Sequence, residues 1–263
     1  MTTTTELHLS VTADQMQSRA RILDVDIDRL DMDETVRRCA ELIDSGGPVQ
    51  HVSVNVAKIV ALRDDERLRG IVERCDLVSV DGQPVVWASK LLRDPLPERV
   101  AGIDLMFRLL ALAEERGYRV FVLGAKQEVL ETAVARLAET YPRLTIAGYH
   151  HGYFADADSA AVCETVRAAE PHILFVAMSS PRKEYWLAEH AAALGVPFSM
   201  GVGGSIDVVA GLTKRAPAFM QRLGLEWFYR FAQEPLRLGP RYLRTNARFG
   251  GLLVRELFSR RAG

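Results

Sequence analysis

Cysteine is scarce: Cys39, Cys75 and Cys163 are the only three in 263 residues. An odd number at wide spacing supports neither a disulfide framework nor a zinc cluster, and reduced core thiols of a cytoplasmic protein are expected. No run of roughly 18 apolar residues occurs, so a membrane-spanning helix is not expected. The opening stretch, Met1 to Gln17, is Thr-rich and polar. It lacks the basic and apolar regions of a secretory signal. There is no G-x-x-x-x-G-K-[ST], which disfavours a P-loop ATPase. The full G-x-G-x-x-G is missing as well, and the nearest glycine turn sits on a late strand, a poor fit to dinucleotide oxidation. The six histidines show no ligand spacing. Neither a bound metal nor any other cofactor is expected. Internal repeats and low-complexity segments are absent too.

What is present is a separation of charge. From Thr213 to the end there are 11 Lys/Arg and 3 Asp/Glu, a net of +8, whereas residues 1–212 hold 22 and 31, a net of −9. The overall value of −1 therefore conceals one strongly cationic end. Trp227, Phe228, Tyr229, Phe231, Tyr242, Phe249 and Phe258 are interleaved there with Arg230, Arg237, Arg241, Arg244, Arg248 and Arg255. Such a tail suits an anionic or membrane-bound partner, and equally a solvated face with its aromatics in the core. An anionic membrane surface is the partner expected, nucleic acid is not, and apolar surface beside the tail points to self-association into a homo-oligomer. Helices broken at Pro235 and Pro240 are expected from Leu225 onward.

Upstream, apolar β-branched runs alternate with helix-period segments. Val49–Val54, Leu77–Val80, Tyr118–Leu123, Leu144–Gly148, His172–Met178 and Pro197–Val202 are predicted strands. Asp104–Arg116, Gln127–Thr140, Ser159–Ala169 and Arg182–Leu194 are predicted helices. Strands that are apolar throughout are buried on both faces, so the fold class is α/β: a Rossmann-like, mostly parallel sheet flanked by helices, with a basic helical C-terminal appendage. The expected organisation is a flexible segment at 1–20, an α/β core at 21–212 and the appendage at 213–263. Ligands in such folds lie beyond the carboxyl ends of the strands.

Three strand ends carry chemistry. Asp81, in Ser79-Val80-Asp81-Gly82, is placed either to accept a proton from a sugar hydroxyl or to cap the helix that begins near Pro84. Met178-Ser179-Ser180-Pro181-Arg182-Lys183-Glu184 brings hydroxyls and cations to a helix start, where phosphate could bind; Pro181 also suits the first helical turn. Gly201-Val202-Gly203-Gly204 is a turn that could let backbone N–H groups approach a diphosphate or could serve close packing alone. Asp156-Ala157-Asp158 matches a cation-holding D-x-D but sits where a helix begins, which favours capping. Asp24, Asp26 and Asp28 alternate along an expected edge strand and are expected to face solvent.

In order and spacing these junctions resemble the WecG/TagA/CpsF family of bacterial glycosyltransferases. The resemblance covers roughly residues 20–250 and rests on Ser53-x-Asn55, Asp81-Gly82, Arg99-x-x-Gly102-x-Asp104, Gly124, Ser180-Pro181-Arg182-x-Glu184, Gly201-x-Gly203-Gly204-x-x-Asp207, Gly211, Arg215-Ala216-Pro217 and Gly224-Leu225-Glu226-Trp227-x-x-Arg230. It implies a metal-independent, inverting transferase, peripheral on the inner face of the bacterial cytoplasmic membrane. Such an enzyme moves a sugar from a UDP-sugar donor to a polyprenyl-diphosphate-linked sugar acceptor, usually making a β-1,4 bond, in surface polysaccharide biosynthesis. By resemblance Asp81 is the general base and Ser53 stands where threonine is usual. Asn55 and Arg99 line the same pocket, and Gly201, Gly203, Gly204 and Asp207 lie where uridine diphosphate would bind. Ser180, Arg182, Lys183, Glu184, Arg215, Arg230, Arg237 and Arg241 complete the expected substrate contacts, and the tail becomes a lid and membrane contact. One position departs from the pattern: the family's Gly-x-Pro-Lys-Gln-Glu reads Ser179-Ser180-Pro181-Arg182-Lys183-Glu184 here. Lysine only donates where glutamine donates and accepts, so the donor or acceptor sugar is expected to differ from the N-acetylmannosamine type of the best-known members. The family resembled also includes builders of xanthan-type exopolysaccharide, and the expected donor sugar is of hexose or N-acetylhexosamine type, leaning to glucose. The alternative expectation is a non-catalytic membrane-surface protein that binds nucleotide or phospholipid.

Overall fold

The computed structural model describes residues 19–222, 224–233 and 235–262; the side chains of Arg222, Arg230, Arg237, Leu238, Arg241, Arg261 and Ala262 lie outside it. The expected flexible segment at 1–20 falls almost wholly outside the described residues. The chain opens with an antiparallel hairpin, β1 (Arg19–Ile22) and β2 (Val25–Asp28), followed by α1 (Met32–Asp44) and β3 (Val49–Val54). Next come α2 (Val56–Asp64), α3 (Glu66–Glu73), β4 (Leu77–Val80), α4 (Gln83–Leu91) and α5 (Gly102–Arg116). The second half runs β5 (Arg119–Gly124), α6 (Gln127–Thr140), β6 (Thr145–His150), α7 (Ser159–Ala168), β7 (Ile173–Ala177), α8 (Arg182–Leu194), β8 (Phe198–Gly201) and α9 (Ser205–Val209). Three further helices close the chain: α10 (Ala218–Arg222), α11 (Glu226–Gln233) and α12 (Pro235–Ala262).

Six strands form one parallel sheet in the order β4-β3-β8-β7-β5-β6. Their apolar character has the expected cause: β4 and β7 are buried at every residue, because helices cover both faces. One face packs against α1, α5, α6 and α9. The other is covered by α2, α3, α4 and the hairpin at one end and by α7 and α8 at the other. Helix α2 is apolar all round except for Lys58 and its last turn, because α12 lies on its outer side.

Two local expectations are corrected. The Asp24–Asp28 segment is a hairpin outside the main sheet; Asp28 turns inward, takes a hydrogen bond from Arg19 Nε at 2.9 Å and accepts the Val78 N–H at 2.7 Å, anchoring the hairpin to β4. Pro240 lies inside a continuous α12. Its missing N–H leaves only the carbonyl of Leu236 without a helical partner, and Leu236, at 93% exposure, sits where solvent can serve that carbonyl. The second half of helix α12 packs against the rest of the fold. Phe249 is buried in the core beside Leu252, Leu253 and Leu257, and Arg248 pairs with Asp64 at 2.6 Å.

Candidate active site

The sheet order makes neighbours of junctions far apart in sequence. Asp81 follows β4, Asn55 follows β3, the glycine turn follows β8 and Ser179-Ser180 follow β7; these are four adjacent strands with their carboxyl ends on one rim. The Asp81 N–H continues the β3–β4 ladder to the Val54 carbonyl at 2.8 Å. The residue at the N-cap of α4 is Gly82, one position after Asp81. Opposite stands Gly102, at the start of α5. A Cβ there would lie 3.4 Å from Ser53 Oγ, 3.8 Å from Asp81 Oδ2 and 4.0 Å from Met200 Cε, so hydroxyl, carboxylate and thioether converge on one point.

Lys183 is a cation near enough to feel the charge of Asp81. It rises from the first turn of α8, 13% exposed, with its stem against the backbone of Gly201; a Cβ on that glycine would collide with Lys183 Cε. Gly201 therefore serves the close approach of a lysine. Lys183 Nζ lies 3.3 Å from Glu184 Oε1, and the same oxygen accepts from Lys58 Nζ at 2.5 Å. Burial alone would raise the Glu184 carboxyl, but the Lys58 and Lys183 ammoniums outweigh it and hold it below the usual carboxylate range. Burial pushes Lys183 below the usual lysine range, against the pull of Glu184 and of Asp81. Charges of alternating sign thus run from Asp81 through Lys183 and Glu184 to Lys58.

The other expected residues divide. Asn55 caps α2, its Oδ1 accepting the Lys58 N–H at 3.0 Å. Arg182 donates to the carbonyls of Gly152 and Phe154, holding the loop after β6, and Pro181 is the N-cap of α8 rather than part of its first turn. In the glycine turn, the N–H groups of Val202 and Gly203 both reach the Val176 carbonyl and that of Ser205 reaches Val202, which leaves less of the backbone to cradle an anion. Asp207 accepts the Leu212 and Thr213 N–H groups on its carbonyl. Asp158 Oδ2 accepts the Ala155 N–H, and among the described residues no three His, Cys, Asp or Glu side chains are grouped as metal ligands would be.

Arg99 and Arg215 meet through Glu226, the first residue of α11. Glu226 accepts from Arg99 Nη1 at 2.8 Å and from Arg215 Nε at 2.9 Å, while Arg215 also pairs with Asp104 at 2.6 Å. Beside them Gly224, at φ +70°, would place a Cβ 2.5 Å from Gln83 Cγ. The turn before α11 thus closes directly over the start of α4. The expected contacts of Arg230, Arg237 and Arg241 lie outside the described side chains.

Sequence reasoning did not single out Lys58 or His51, and it quoted Ser79, Glu226 and Asp104 only as parts of motifs. Lys58 had one visible signal: a lone charge in the apolar run Val56-Ala57-Lys58-Ile59-Val60.

A Rossmann-like parallel sheet whose carboxyl-end rim gathers a carboxylate, hydroxyls and buried cations has the form of a group-transfer enzyme acting on anionic substrates. A model of the "Glycosyl transferase WecG/TagA/CpsF family" matches residues 20–263, and the chain belongs to that family. The N-acetylglucosaminyldiphosphoundecaprenol N-acetyl-beta-D-mannosaminyltransferase of Staphylococcus aureus (strain MW2) is 37% identical over 169 residues, 64% of this chain and 66% of that protein. The Bacillus subtilis (strain 168) protein of the same name is 34% identical over 192 residues, 73% of each chain. The match thus spans just under two thirds of the staphylococcal relative's length.

Proposed function

We propose that this chain transfers a sugar from a UDP-sugar to a monosaccharide carried on a polyprenyl diphosphate, with Asp81 as the general base. The observation that carries this reading is the convergence of Asp81, Ser53 and Lys183 on one rim beside Gly102 and Gly201. The relatives support it, being named for transfer to a diphosphoundecaprenol-linked sugar. In the reaction Asp81 takes the proton of the acceptor hydroxyl as its oxygen attacks the anomeric carbon, and the bond from that carbon to the diphosphate breaks. Inversion follows from this single displacement. The leaving diphosphate gains negative charge, and Lys183, already desolvated, faces it without solvent screening. Arg99 and Arg215 are within the same rim and serve the diphosphate when Glu226 gives way.

Two donors follow from two observations. The relatives' names put an N-acetylmannosamine donor first. Lys183 in place of glutamine keeps glucose as the second reading. The test is UDP release from UDP-N-acetylmannosamine and UDP-glucose, each with synthetic polyprenyl-diphosphate N-acetylglucosamine or glucose, and the product linkage determined by NMR. Release that depends on the lipid-linked acceptor supports transfer; none across the panel would leave a non-catalytic, membrane-surface binding protein.

A further inference from the structure

His51, Ser79 and Ser53 form a row of side chains on one face of β3 and β4. His51 is 1% exposed, its Nε2 lies 2.9 Å from Ser79 Oγ, and Ser79 Oγ lies 3.4 Å from Ser53 Oγ. The ring stacks near Phe198, and its Nδ1 is buried without a hydrogen-bond partner. Burial, reinforced by Lys58, pushes His51 down to about 3, so the imidazole is neutral and carries one N–H. A buried N–H with no acceptor is rarer and costlier than a buried lone pair with no donor. The proton therefore belongs on Nε2, where Ser79 Oγ accepts it. Ser79 Oγ could also accept from Ser53, but that would leave the buried Ser79 O–H without an acceptor, so Ser79 is assigned as donor to Ser53 Oγ and the Ser53 O–H is left for the pocket shared with Asp81 and Gly102.

We propose that His51 is a positioning residue that sets the direction of this row, so that Ser53 presents a hydrogen and not a lone pair to the reaction site. What Ser53 takes is an oxygen acceptor, either the Asp81 carboxylate or an oxygen of the bound sugar. The placement of the proton stands on the burial and hydrogen-bond geometry of His51; its use in catalysis rests on the transferase reading above.

Long-range proton–nitrogen NMR of the full ¹⁵N-labelled chain tests the first part, with the His51 signals assigned by their loss in H51Q. The expected result is a protonated Nε2 and a bare Nδ1, unchanged between pH 8 and pH 6. A proton on Nδ1, or titration in that interval, overturns the proposal. The kinetic arm compares S79A, H51L and H51Q. S79A and H51L are expected to lower kcat roughly ten- to a hundredfold with donor KM little changed, and H51Q, whose amide N–H replaces Nε2–H, to restore most of it. Full turnover in S79A, or equal losses in H51Q and H51L, would remove His51 from the reaction; S79A keeps the test open if H51L does not fold. If the wild type itself transfers nothing, the transferase reading fails, and the NMR arm still decides the direction of the row.

Discussion

Lys183 holds its charge where little water reaches, between Glu184 and the field of Asp81. Its folded pKa is lowered from 10.5, so it loses its proton at a lower pH than an exposed lysine does. If it stabilises the leaving diphosphate, kcat should fall on the alkaline side below that value. K183Q should remove this limb and lower kcat roughly ten- to a hundredfold, as loss of one charged hydrogen bond to a developing anion does. A pH–rate profile of K183Q identical to the wild type would contradict this role. His51 makes a second pH prediction, on stability. Its folded value near 3 lies below the ordinary 6.5, so between these values the unfolded chain binds a proton that the native chain does not. Stability is therefore expected to decline as pH falls below about 6.5, by roughly 2 kcal/mol from this residue by pH 5. Urea unfolding at pH 7 and pH 5 checks it, with H51Q losing less between the two. Neither pH effect could be read from the sequence, because both come first from burial. Beyond the adjacent Glu184, the charges that modify it, Lys58 and Asp81 for Lys183 and Lys58 for His51, are brought near by the fold.

Strands and helices were the most legible level. The alternation of apolar β-branched runs with helical periods placed β3, β4, α6 and α8 at their observed ends, since each boundary carries its own local chemistry: Asn55 caps α2, and Gly195 closes α8 in the left-handed conformation. Local chemistry does not report what a terminal element packs on. The basic, aromatic tail left open whether its aromatics face lipid or the core; Phe249 places the second half of α12 in the core, Arg248 ties it to Asp64, and Arg215, paired with both Glu226 and Asp104, links α11 to α5. E226A leaves Arg99 and Arg215 partly buried without this partner, and undocking of α10 and α11 by roughly 1–3 kcal/mol is expected. Hydrogen exchange should rise in residues 217–233 with the sheet unaffected; unchanged exchange there would mean that the carboxylate does not hold the turn. G224A forces a side chain into a φ of +70° and into Gln83, and should loosen the same segment without touching any charge.

At the scale of the molecule, two features bear on a lipid-linked substrate. No helix among the described residues is long and apolar enough to cross a membrane. The cationic end carries exposed Trp227, Phe228, Leu236, Leu243 and Phe258. We propose that this end meets anionic lipid, each basic residue near such a surface contributing roughly 1 kcal/mol before screening. Arg237, Arg241 and Arg244 are the ones to neutralise together; Arg248, which pairs with Asp64, and Arg260, which donates to the carbonyls of Leu92 and Arg21, are left in place. The triple variant should bind anionic vesicles more weakly, as should the wild type in higher salt; equal binding by variant and wild type would contradict the proposal. The candidate site was legible in its parts, Asp81, Ser53, Arg99 and the glycine turn, but not in its arrangement, which the crossover order of the sheet decides. The central claim is that Asp81 activates an acceptor hydroxyl at that rim. Its most direct test is the initial rate of UDP release by wild type and D81N on addition of polyprenyl-diphosphate sugar, with UDP-sugar binding by both proteins measured alongside. The expected result is acceptor-dependent release by the wild type and a loss of about 10²–10⁴-fold in D81N with donor binding intact. Release by D81N at close to the wild-type rate would contradict it.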